Sequence, residues 1–140
     1  MASESLSIDI SATRERVWQV IADVESWPQW TTSMTAVQRL DDGQFRVGSR
    51  ARVKQPGLPS TVWQVTNVTE GTEFTWVTRT AGAAATAIHR IEETPAGTRL
   101  TLTVAWTGIF AGVVAAMAGK QTRKYLALET AGAKARAESA

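Results

Sequence analysis

One side chain in 140 residues has an ordinary pKa near neutrality. His89 is the lone histidine, and the chain has no cysteine. A histidine can serve as a general acid or base, provided that it faces a substrate and is held by a partner. In "ATAIHRIEE" the residues Ala87, His89 and Ile91 share one strand face, while Ile88, Arg90 and Glu92 share the other. The two charges mark the second face as outer, which turns His89 inward. No motif supplies its orienting partner. Glu73, Glu92 and Glu93 lie near it only in the chain and are expected to face solvent.

Other chemistries are poorly provided for. Without cysteine there are no disulfides, thiolate nucleophiles or cysteine metal sites, and one histidine among scattered carboxylates gives no ligand spacing. Neither a metal nor a cofactor is expected. No G-x-S-x-G elbow occurs, and "GQFRVGSR" and "AGKQTRK" depart from phosphate-loop patterns.

The elements that must position His89 follow from periodicity. "SLSIDI" alternates as a half-buried strand, with Leu6, Ile8 and Ile10 on one face. Val17, Val20, Ile21 and Val24 then recur at helical spacing, and Ser11 or Thr13 can cap that helix. Pro28 interrupts the pattern, so "WPQWTTSM" reads as a second short helix with Trp27 extended before the proline. From residue 35 to 107 turn residues separate about six strands. The last of them places Leu100, Leu102, Val104 and Trp106 opposite Thr101, Thr103 and Ala105. A helix starts near residue 112, with Met117, Gln121, Tyr125, Leu128 and Gly132 as its stripe. Gly108, Gly112 and Gly119 are expected to break it up, and the tail after 131 to fray. Helices segregated against an antiparallel sheet make an α+β fold, in one domain over residues 1–140.

The net charge of +2 is small, and the late cluster Lys120, Arg123, Lys124, Lys134, Arg136 reads as a solvated helix face. No nucleic-acid surface is expected. The N-terminus lacks the pattern of a signal peptide and "GIFAGVVAAMAG" is too short for a membrane span, so the expectation is a cytoplasmic protein.

"ISATRERVWQVIADVESWPQW" and "IHRIEETPAGTRLTLTVAWTG" together resemble the polyketide cyclase/dehydrase and lipid-transport family of the START-like (SRPBCC, Bet-v-allergen-like) superfamily. The resemblance spans essentially the whole chain. It implies a helix-grip fold: a curved antiparallel sheet of about seven strands around a long C-terminal helix, with two short helices after the first strand. It also implies a cavity between sheet and helix. Trp27 and Trp30 of "SWPQW" would close one end of it.

With that fold, face alternation nominates Trp30, Trp63, Trp76, His89, Leu102, Trp106, Phe110, Met117, Gln121 and Tyr125 as ligand-binding residues. Val62, Gln64, Thr66 and Val68 form an almost equally apolar alternative to the Trp63 face. Aromatic walls with a few polar groups suit a hydrophobic small molecule, lipid or polyketide-like, which makes binding or carriage the leading function. A cyclase, aromatase or dehydratase using His89 on a polyketone is one alternative. A protein-interaction module at 108–119 is the other, and a homodimer is left open.

Overall fold

The computed structural model describes residues 2–139. Among them the chain forms β1 (Ala2–Ile10), α1 (Arg14–Ala22), a 3₁₀ helix (Val24–Gln29), β2 (Ala36–Arg39), β3 (Arg50–Lys54), β4 (Thr61–Thr69), β5 (Glu73–Thr80), β6 (Ala83–Thr94), β7 (Gly97–Thr107) and α2 (Ala111–Glu138). The strands make one curved sheet in the order β1-β7-β6-β5-β4-β3-β2, every neighbouring pair antiparallel. β1 and β2 are thus opposite edges. The α1 and 3₁₀ segment carries the chain from one edge to the other, and α2 lies against β1, β6, β7 and α1. This is the helix-grip architecture.

Alternation decides the two faces. Leu100 and Leu102 are buried inside β7, while Thr101 and Thr103 hold outer-face hydroxyl contacts with Ser7 and Ser5 at 2.8 and 2.9 Å. A register shift between Val65 and Asn67 marks an irregularity in β4, of the kind that bends a strand and increases its twist. Thr13 caps α1 by accepting from the Arg16 amide at 3.2 Å.

Three expectations are corrected. The second short helix begins four residues before Pro28, which sits inside it. Pro28 offers no amide hydrogen, and none is needed there, because it follows Trp27, whose carbonyl opens a turn closed by the Trp30 amide at 3.1 Å. The helix α2 runs unbroken through Gly112 and Gly119. Its tail is docked rather than frayed. Ala133 and Ala137 are buried, and the Arg16 guanidinium donates to the carbonyls of Arg136 and Ala137 at 2.9 and 3.3 Å. Those are carbonyls that a helix end otherwise leaves without partners. Gly132 makes this docking possible: a Cβ there would collide with the Trp30 carbonyl and ring. Trp30 belongs to "SWPQW", so one glycine brings α2 against that stretch.

Candidate functional site

"SWPQW" does supply aromatic mass at one end of the inner face. Trp27 is buried, its indole N–H donates to the Ile21 carbonyl at 3.1 Å, and its ring meets Trp76 at 5.3 Å, His89 at 5.4 Å and Trp30 at 6.0 Å. Beyond Trp27, between the sheet and the middle of α2, lies a partly open pocket of about 200 Å³. That is room for several waters or a compact ligand. Trp63 (β4), Trp76 (β5), His89 (β6) and Trp106 (β7) line the sheet side. Gln121, Tyr125, Leu126 and Glu129 line the helix side, along with the small residues Ala118 and Thr122 that leave the space empty.

His89 is fixed by its surroundings. Its Nδ1 lies 3.2 Å from the Phe74 carbonyl, and the Phe74 ring stacks on the imidazole at 4.0 Å. A carbonyl only accepts, so Nδ1 carries the proton and Nε2 is left as an acceptor. Nε2 has no protein partner among the described residues, and the side chain borders the pocket. Burial pushes the imidazole down to about 4, so it is neutral at physiological pH.

Glu129 is the residue that sequence reasoning missed. One carboxylate oxygen accepts from the Ser33 hydroxyl at 2.9 Å. Ser33 in turn is 2.9 Å from the Thr31 hydroxyl, and both are buried. Since the Ser33 hydrogen goes to Glu129, the Thr31 hydroxyl donates to Ser33 and the chain of donors runs toward the carboxylate. Burial raises Glu129 to about 7, against the smaller opposing effect of the Ser33 hydrogen bond. No lysine or arginine pairs with it among the described residues. A signal was available: Gln121, Tyr125 and Glu129 follow one another at i, i+4, i+8, one ridge of the helix. The nearby glutamates behave as expected of surface groups, Glu92 and Glu93 being exposed, although Glu73 is half-buried beside Arg90 at 3.4 Å.

The mouth is polar. The Tyr125 hydroxyl donates to the Pro56 carbonyl at 2.7 Å and accepts from Gln121 at 3.1 Å. The Lys54 ammonium donates to the carbonyls of Gln55 and Leu58. Both contacts hold the 55–60 loop over the opening.

Of the ten sequence-nominated residues, Trp63, Trp76, His89, Trp106, Gln121 and Tyr125 lie on this wall. Trp30 and Leu102 instead border a much smaller void beside it, shared with His89 and Glu129. Phe110 and Met117 are corrected: they are 52% and 81% exposed. The docked end of α2 sets the helix phase, and Met117 is nine residues before the buried Leu126. At 3.6 residues per turn that puts the two about 180° apart. With Ile109 and Val113, also exposed, Met117 forms an outward apolar ridge on the 108–119 segment. Val62, Gln64 and Thr66 of the alternative β4 face are exposed and Trp63 faces in, while Val68, beyond the register shift, packs on the core.

The family model described as "Polyketide cyclase / dehydrase and lipid transport" matches residues 1–138. An uncharacterised protein of Mycobacterium tuberculosis, Rv2574, is 28% identical over 113 residues, 71% of this chain and 62% of that protein. The chain therefore aligns with under two thirds of the length of the curated relatives it matches. Among solved structures, TTHA0849 of Thermus thermophilus superposes with a TM-score of 0.77 at 15% identity, covering 97% of both chains. The di-domain ARO/CYC StfQ from the steffimycin biosynthetic pathway gives 0.75 at 10% identity, over 97% of this chain and 50% of that one. At those identities the likeness is one of fold. Among the described residues no helix is long and apolar enough to cross a membrane.

Proposed function

Because the chain belongs to the polyketide cyclase / dehydrase and lipid transport family, we propose that it binds or carries a compact, mostly apolar small molecule, lipid or polyketide-like, between α2 and the sheet. The observation that supports this is the pocket wall: tryptophans on four elements surround space that a packed core would fill, with few polar groups among them. Native mass spectrometry of the protein purified from its own host, followed by extraction, tests the reading. A stoichiometric apolar adduct lost on denaturation is the expected result. An apo mass, together with no saturable binding or thermal shift across a lipid and aromatic panel, would contradict it.

A second reading has its own support. His89 Nε2 and the Glu129 carboxyl border the same pocket, one a neutral acceptor and the other poised near neutrality, as acid–base chemistry on a carbonyl substrate requires. On that reading His89→Ala and Glu129→Gln each abolish turnover of a polyketone while leaving the fold intact. Unchanged turnover in either variant would remove it.

A further inference from the structure

The pocket holds one half-buried acid and no cation that could answer it. Its ionisable lining residues are His89, Tyr125 and Glu129, and no lysine or arginine is among them. Lys54, flanked by the wall residues Val53 and Gln55, directs its ammonium to two loop carbonyls. The cations of α2 are engaged or exposed elsewhere: Arg123 with Glu4, Lys134 with Glu138, Arg136 with Gln29, and Lys120 and Lys124 toward solvent. Arg16, reaching α2 from α1, binds the carbonyls of its last turn. A carboxylate in an apolar wall is costly unless something pairs with it.

The remaining features match one kind of partner. The second Glu129 oxygen has no protein donor among the described residues. His89 Nε2, on the facing strand, is also an acceptor by virtue of the Phe74 contact. The deep end of the pocket therefore asks for a donor. Trp27 and Trp76 lie beside His89 at 5.4 and 5.9 Å between ring centroids, Trp63 and Trp106 line the same pocket, and tryptophan ring faces attract cations.

We propose that the ligand is a small organic cation, an amine on a compact apolar body, whose ammonium sits between Glu129 and His89 among these tryptophans. This rests on the pocket-binding reading above and deepens it by naming the ligand's charge. The raised Glu129 value has a consequence: bound ammonium favours the carboxylate, so binding strengthens as pH rises toward 8 and weakens below about 7.

Calorimetric titration at pH 8 with 2-phenylethylamine, 2-phenylethanol and phenylacetate compares three end groups on one apolar body. The amine is expected to bind at least about tenfold tighter than the alcohol, a difference within the range of a desolvated cation–π contact plus a charge pair. Phenylacetate should not bind. Glu129→Gln should bring the amine within about twofold of the alcohol measured in the same variant. Equal amine and alcohol affinity in the wild type, or an amine preference that survives Glu129→Gln, overturns the cation assignment while alcohol binding upholds the pocket. If none of the three binds and the lipid and aromatic panel is also silent, the pocket reading falls and this inference falls with it.

Discussion

The two halves of α2 do different work. From Leu126 on, the helix is part of the core: Leu126, Thr130, Ala133 and Ala137 are buried, Gly132 abuts Trp30, and Arg16 caps the end. Before Leu126 it covers rather than fills. Ala118 and Thr122 face the pocket, while Val113 and Met117, with Ile109 and Phe110 just ahead of the helix, are exposed. One continuous helix thus anchors at its C-terminal end and roofs an empty space with its middle turns, residues 118–129. The anchor sets the rotation, and the rotation decides which residues can meet a ligand.

The largest expected effect lies in the anchored region. Trp27→Ala removes an indole packed on Trp30, Phe74, Trp76 and His89, and should cost about 3–5 kcal/mol in chemical denaturation. A loss under 1 kcal/mol would mean that this end is not the solid part of the core.

Next comes the pH dependence of the polar pair where the halves meet. Glu129 rises from 4.5 to about 7 on folding, so its contribution to stability is fully present below 4.5 and lost as pH rises through 7. His89 falls from 6.5 to about 4, so its contribution is present above 6.5 and lost as pH falls toward 4. Between 4.5 and 6.5 the two oppose each other. Glu129→Gln should therefore gain on the wild type by up to about 3 kcal/mol between pH 4.5 and 8. The same variant should lose stability in acid where the wild type is comparatively flat. Parallel wild-type and variant curves would contradict the placement of Glu129 in the pocket wall.

Gly132→Ala tests the anchor with a single methyl. Overpacking against the Trp30 backbone should cost about 1–3 kcal/mol, whereas a helix merely resting there would gain from alanine. The smallest effect belongs to the roof's outer ridge: Met117→Ser should change stability by less than about 0.5 kcal/mol and leave pocket affinity unaltered.

What the sequence disclosed depended on contrast. In β6 the charges of Arg90 and Glu92 against Ala87 and Ile91 were enough to turn His89 inward, and in β7 alternating threonines fixed the face of Trp106. β4 had no such contrast, because Val62 and Trp63 are both apolar. The neighbour across the ladder from Trp63 is the small, buried Ala51, and only the pairing reveals it. The Ala-rich α2 had still less. Reading its inner stripe by side-chain size selected Met117 and missed Ala118, about a quarter turn away. Glu129 was hidden for the same reason, since an acid on a helix rich in bases reads as solvated. Its place in the pocket wall comes from Ser33 and Trp27, neither of which is local to it.

Ligands that enter beneath the roof of α2, rather than settle on its outer ridge, must meet the tryptophans of the wall. The six tryptophan indole N–H groups report this directly in ¹H–¹⁵N correlation spectra during titration with 2-phenylethanol. The account predicts saturable shifts for Trp63, Trp76 and Trp106 on the wall, with Trp18, whose N–H is held by Glu70 at 3.1 Å outside the pocket, unmoved. Shifts confined to backbone amides around Ile109 and Met117, with the wall indoles silent, would contradict it.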